Sequence, residues 1–147
     1  SGYYQAFSLE NRYINFAVNL GAGGEGRDDF SQAYGSLSLR AATQKAYAEI
    51  FGSSPSDSKL DAILDTTVMS GGASFSRAGY FAYYGGDGLD GLGTKAAMVG
   101  FLLAEAIKGD VGVYALSSNA YFLDLADGAP FSVDIVGVYG EPEFIFG

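Results

Sequence analysis

One stretch of this chain, Gly85-Gly86-Asp87-Gly88-Leu89-Asp90-Gly91-Leu92-Gly93, has the residue types and spacing to bind an ion. It fits a single copy of the calcium-binding nonapeptide G-G-x-G-x-D-x-U-x, with Leu92 at the apolar position. In tandem arrays each turn completes its ions with the next, and a single copy has no such neighbour. Two roles stand open. Asp87 and Asp90, with backbone carbonyls, can supply the hard oxygen ligands of a lone calcium ion. Alternatively, the segment is a glycine-rich loop in which Asp90 caps the following helix. Just before it lies an aromatic cluster, Tyr80, Phe81, Tyr83 and Tyr84. Sugar rings lay their C–H faces on aromatic rings, and phenol hydroxyls bond sugar hydroxyls. Tyr80, Tyr83 and Tyr84 are therefore candidate polysaccharide ligands, with core packing as the competing role. Adjacent helical positions such as 83 and 84 cannot both face inward. Arg77, like Arg12, Arg27 and Arg40, carries the planar fork that clamps carboxylate or phosphate, and surface or helix-end roles compete for each.

Other chemistries fall away. The chain has no cysteine and no histidine, which excludes Cys–His and Ser–His nucleophiles and leaves zinc only carboxylates as side-chain ligands. The glycine cluster at 21–26 follows a helical pattern and not a strand, so it is no dinucleotide fingerprint. Asp28-Asp29, Asp61 with Asp65, and Asp124 with Asp127 could pair to cleave a glycosidic bond, but acids so placed on helices serve as caps and solvated faces. The chain reads as no enzyme. Its net charge of −9, from 17 acids and 8 bases with no basic run, leaves no nucleic-acid footprint and no direct attraction to an anionic membrane. An anionic partner would need a bridging cation, and calcium suits carboxylates. Missing cysteines argue against maturation in an oxidising periplasm and fit export in one step across both membranes. The longest apolar run, 96–107, is interrupted by Gly100 and Glu105 and falls short of the roughly 20 residues that span a bilayer.

The elements that position these residues are helical. A chain of 147 residues suits one domain. Phe7, Tyr13, Ile14, Ala17 and Leu20 form one helical face over about 5–20, with Gly21 as its stop. Asp28 is placed to cap a short helix to Tyr34, and Ser38 to cap one with the stripe Leu39, Ala42, Ala46, Tyr47 and Ile50. A further helix is expected over 56–69, with Leu60, Ile63, Leu64 and Val68 on one side and Gly71-Gly72 ending it. Ser74 or Ser76 opens a segment through Tyr84. The segment 91–108 is apolar on most faces, which places it at the centre of the core. Its Ala96, Gly100 and Ala104, four apart, admit a close neighbour. Asp110 caps a last helix ending near 127–128. The expected fold is all-α: a compact bundle or solenoid-like packing of about six helices over 3–129, with an extended tail or linker over 130–147.

Two stretches carry a resemblance. Tyr3-Tyr4 with Glu10-Asn11-Arg12-Tyr13-Ile14-Asn15-Phe16-Ala17-Val18-Asn19-Leu20 is the first. Lys95-Ala96-Ala97-Met98-Val99-Gly100, with the helix to Lys108, the Tyr121 region and 124–129, is the second. Together they resemble the N-terminal anchoring domain of the Caulobacter-type surface-layer (S-layer) protein family. The likeness runs in order from Tyr3 to Ala129, although the family's middle region has no counterpart of the 85–93 loop. It implies a compact helical domain that attaches a surface lattice to lipopolysaccharide O-antigen with calcium involved. It also implies one-step type I secretion and calcium-binding (RTX) repeats elsewhere in the parent protein. Contact residues do not carry over, so Arg77, Tyr80, Tyr83 and Tyr84 rest on residue chemistry alone. The expected role is a non-catalytic cell-surface anchor for O-antigen polysaccharide, outside a Gram-negative cell and without membrane insertion. Docking of a secreted protein, such as a protease, onto an existing S-layer protein is the alternative, and polysaccharide processing is a third.

Overall fold

The computed structural model of the chain describes the backbone of residues 2–109 and the side chains of residues 9–109. The last helix expected from Asp110, and the 130–147 tail, lie outside the described residues. Helix α1 spans Gly2–Gly21, α2 Arg27–Tyr34, α3 Leu39–Phe51, α4 Asp57–Asp65, α5 Arg77–Gly85 and α6 Leu92–Lys108. A hairpin, β1 Thr67–Ser70 and β2 Ala73–Ser76, sits between α4 and α5. Among the described residues the architecture is all-α apart from this small sheet.

Helix α6 is the centre because it is apolar on most faces. Every residue from Gly93 to Ala104 is buried, and so is Ala106, as so apolar a helix requires. Helices α1, α5 and α3 pack along it. The stripe read from sequence on α1 is buried at Tyr13, Ile14, Ala17 and Leu20, and that of α3 at Leu39, Ala42, Ala46 and Ile50. Gly100 is where α1 meets α6 backbone to backbone. A Cβ added there would press on the Tyr13 carbonyl and stand 2.8 Å from the Ile14 Cα. The small-residue spacing at 96, 100 and 104 does mark a close helix crossing.

Caps follow local chemistry. The Ser38, Ser56 and Ser76 hydroxyls accept from the Ala41, Lys59 and Gly79 amides at 3.1, 3.1 and 3.0 Å, each satisfying one orphan donor of a first helical turn. Two expectations are corrected. Helix α2 starts at Arg27 with Gly26 as its N-cap, and Asp28 and Asp29 lie inside the first turn, where their charge favours the positive end of the helix dipole. The helix expected to Met69 stops at Asp65. Thr66, Thr67 and Val68 are consecutive β-branched residues, which lose rotamer freedom in a helix and fit a strand. Gly71 and Gly72 have φ of 58° and 80°, the two left-handed positions of a tight hairpin turn. The hairpin pairs Val68 with Phe75 and Met69 with Ser74. A diglycine read as a helix stop is thus a strand-reversing turn.

The C-terminal end of α2 is held by two lysines. Lys45 Nζ donates to the Ala33 carbonyl at 2.7 Å and sits 4.6 Å from the Tyr34 ring centre. Lys95, only 1% exposed, crosses from α6 to donate to the Gly35 carbonyl at 3.1 Å. Both place positive charge at the negative end of the α2 dipole. Burial, then the neighbouring Glu49 charge, pushes the Tyr34 phenol far above its ordinary pKa, so it stays protonated and its hydroxyl faces Glu49 Oε2 at 3.4 Å.

Gly100→Ala separates helix propensity from packing. Propensity alone favours alanine by about 1 kcal/mol. The clash is with α1 backbone, which cannot swing aside, and overpacking of this kind costs about 1–3 kcal/mol. Urea unfolding of the variant is expected to show net destabilisation; a variant more stable than the parent would show that α1 does not touch α6 there.

Candidate functional site

The 85–93 loop joins α5 to α6, and its residues are occupied with that junction. Gly85 and Gly93 bring the two helices into backbone contact: a Cβ on Gly93 would stand 2.9 Å from the Gly85 Cα. Gly86 and Gly88 have φ of 74° and 89°, conformations that glycine adopts without strain. Asp87 Oδ2 accepts from the Gly93 amide at 2.8 Å, and Oδ1 lies 3.3 Å from the Thr94 amide. The carboxylate therefore closes the N-terminus of α6. Asp90 does not cap that helix; the N-cap position is Gly91, which has no side chain to make a cap bond. Asp90 Oδ1 instead accepts from the Leu39 amide at 2.8 Å, across the fold at the start of α3. The correction has a geometric reason: Gly91 packs against the Asp87 carboxylate, so Asp87 reaches the first turn of α6 and Asp90 points to another helix. Among the described residues, no three acids gather as a metal-binding group.

The tyrosines divide between core and surface. Tyr80 is 2% exposed, and its hydroxyl donates to Asn11 Oδ1 on α1 at 2.9 Å. Burial first, and then Tyr84, push its phenol well above the ordinary range. A ring so enclosed packs the fold and cannot lie under a sugar. Tyr84 is half-buried and stacks edge-on against Tyr80 with ring centres 5.1 Å apart. Tyr83 is 68% exposed, with Phe75 of the hairpin 5.8 Å away. Of the adjacent pair, one ring faces outward and one leans inward, as helical geometry demands.

Arg77 does not join the tyrosines. It shares the Phe81 face of α5, one turn away, and turns to α4 and α6. Its Nη1 donates to the Ala62 and Ile63 carbonyls at 3.0 and 3.1 Å, among the orphan acceptors ending α4. Its guanidinium lies 4.5 Å from the Phe101 ring centre. Burial lowers its pKa, partly countered by Glu10 and Glu105, and it remains charged.

Arg77 belongs to a different feature, a cleft of about 530 Å³ between the ends of α3, α4, α5 and α6. Tyr47 and Phe51 of α3, whose ring centres are 4.5 Å apart, and Phe101 of α6 give it aromatic walls. Lys59, Thr66, Arg77, Glu105 and Lys108 give it a polar lining. Lys108 Nζ lies 2.7 Å from Glu105 and 3.3 Å from Glu10. Its volume is in the range of small-ligand sites, and donors and acceptors side by side around aromatic faces suit vicinal hydroxyls on a ring. Sequence reading missed this site. Tyr47 was legible only as part of a stripe. The one local signal was the aromatic i, i+4 pair Tyr47–Phe51, and the partners from α4, α5 and α6 are far apart in the chain.

The described residues form a helical domain around one central helix, with an open aromatic and polar cleft at one end. Comparison with known families matches residues 1–146 to the RsaA N-terminal domain, and the chain belongs to that family. It is thus an N-terminal module of surface-layer proteins, at the cell surface. No curated protein and no solved structure matches the chain. No described helix is long and apolar enough to cross a membrane.

The cap role of the loop acids can be measured in the presence of chelator, where only amide bonding contributes. Asp87→Ala is expected to lower the unfolding free energy by about 1 kcal/mol, within the usual ~0.5–2 for a lost cap. Tyr83→Ala is expected to stay within about 0.5 kcal/mol of the parent. Equal stability of parent and Asp87→Ala would refute the cap assignment.

Proposed function

We propose that this domain is a non-catalytic anchor that ties a larger secreted surface-layer protein to the O-antigen polysaccharide of lipopolysaccharide, with calcium assisting. The observation that carries the proposal is the cleft bounded by Tyr47, Phe51 and Phe101 with polar side chains around it. Glycans are held by C–H packing on rings together with many directional hydrogen bonds, and no catalytic pair is needed. Family membership supports the surface setting. The absence of histidine and cysteine from the whole sequence supports holding over transforming. Calcium enters through charge: a chain of net charge −9 meets an anionic cell surface more readily across a divalent ion. The 85–93 loop, with Asp87 and Asp90, is the place proposed for it. One-step export from a Gram-negative cell, and calcium-binding repeats elsewhere in the parent protein, belong to the same proposal.

A second reading, docking onto an existing S-layer protein, is favoured by the exposed apolar side chains Met69, Tyr83 and Leu89. Co-sedimentation separates the two. The chain is expected to pellet with smooth membranes and stay in the supernatant with O-antigen-deficient ones. Tyr47→Ala and Phe51→Ala are each expected to weaken pelleting about tenfold, since stacked aromatic contacts dominate such sites. Equal pelleting with both membranes would overturn O-antigen binding, and capture on purified lattice protein alone would favour docking. Millimolar calcium is expected to raise the melting temperature, because a ligand bound only by the folded state stabilises it. An unchanged melting temperature would remove calcium from the proposal.

A further inference from the structure

We infer that the cleft at the C-terminal end of α6 selects a sugar bearing a carboxylate, held directly by Arg77 and Lys59 while the sugar ring packs on Tyr47 and Phe51. The inference rests on the glycan-binding reading and adds to it the class of sugar and a direct mode of charge recognition. It begins with how charge is distributed. The whole chain has 17 acids and 8 bases, yet the three cations Lys59, Arg77 and Lys108 line this cleft against two acids, Glu105 in the lining and Glu10 beside Lys108, a surplus of one positive charge. A strongly acidic chain has collected three of its few cations in one concavity, which is the opposite of what scattered surface charge would place there.

The three cations are not equally committed. Lys108 is neutralised by Glu105 and Glu10. Lys59 is exposed, and its ammonium has no hydrogen-bond or ion-pair partner among the described residues. Arg77 spends only Nη1, on the Ala62 and Ile63 carbonyls. Its Nε and Nη2 therefore have no acceptor among the described residues, and that edge of a guanidinium is the pair of parallel donors that a carboxylate accepts in bidentate form. The Phe101 face and the α4 carbonyls fix the plane of the fork before any ligand arrives, so little side-chain freedom is lost on binding. Burial lowers the guanidinium's pKa in the free protein, and an incoming carboxylate would restore the lost charge stabilisation. Aromatic walls beside this fork accommodate the ring that carries the acid. A calcium ion would be repelled by the cation surplus, so this contact works without one.

The test uses the whole 147-residue chain in chelator, titrated by amide NMR with trigalacturonic acid and with its fully methyl-esterified form. The two probes share size and ring shape and differ in charge. The acid is expected to shift amides around Tyr47–Phe51, Lys59–Thr66 and the end of α6, and to bind at least about tenfold more tightly than the ester, as charged hydrogen bonds allow. Lys59→Gln, a surface change that leaves the fold intact, is expected to weaken the acid about threefold and leave the ester unchanged. Arg77→Lys keeps the charge, removes the fork, and is expected to weaken the acid about tenfold. Equal affinity for acid and ester overturns the inference while leaving glycan anchoring in place. Binding that shifts no cleft amides, or that vanishes when calcium is chelated, overturns it too. Failure of the chain to pellet with smooth membranes is a separate result, and strikes the parent proposal.

Discussion

The whole arrangement depends on backbone-to-backbone contact along α6. Packed helices ordinarily stand 8–10 Å apart, separated by their side chains. Here α1 meets α6 at Gly100, and α5 meets it at Gly85 and Gly93, so two neighbours come closer than any side chain would allow. Glycine weakens a helix by about 1 kcal/mol relative to alanine. The loss is offset by the apolar surface that close approach seals on Met98, Val99, Leu102 and Leu103, all buried. Anchored near its start and its middle, α6 has its last turns fixed in direction. Those turns carry Phe101, Glu105 and Lys108 to the cleft.

Charge in this domain is scarce, and much of it serves helix ends. Asp87 closes α6, Asp90 closes α3, Lys45 and Lys95 sit at the end of α2, and Arg77 covers the end of α4. Each answers the same problem: terminal N–H and C=O groups have no intrahelical partner and must find one when buried. Short helices make the problem acute, since α2, α4 and α5 have 8, 9 and 9 residues, and a large fraction of their backbone groups is terminal. Buried Lys95 is the extreme case, a long side chain from the central helix threaded to a distant carbonyl.

Anchoring a lattice makes modest demands on any single copy. Under the proposed role, a domain repeated across a surface layer would engage many sites at once, and weak contacts would multiply through effective concentration. An open cleft that grips a short stretch of glycan is sufficient under the proposed role. The cleft's mixture of aromatic wall and neighbouring donors and acceptors agrees with such a grip.

The sequence by itself determined the helical class, the central place of α6 and the close crossing at Gly100, because apolar periodicity and small-residue spacing are local properties of one helix. It also determined the serine cap at 38, whose bond reaches only three residues onward, and it set the start of α4 near Ser56 and that of α5 at Ser74 or Ser76, of which Ser56 and Ser76 prove to be the caps. Tertiary structure decided the rest. Asp90 sits beside α6 in the chain, yet its partner is Leu39, 51 residues away, and no local pattern encodes that. Tyr80 and Tyr83 stand alike in the sequence as candidate ligands or core residues, and only the fold separates them, bringing Asn11 of α1 over Tyr80 and leaving Tyr83 exposed. Arg77 is one helical turn from Tyr80 in the sequence, but its long side chain is drawn away to the α4 carbonyls and the Phe101 ring, into a cleft assembled from four helices. Capping is written within a few residues; burial and the gathering of side chains into a site are set by which distant surfaces the core brings together.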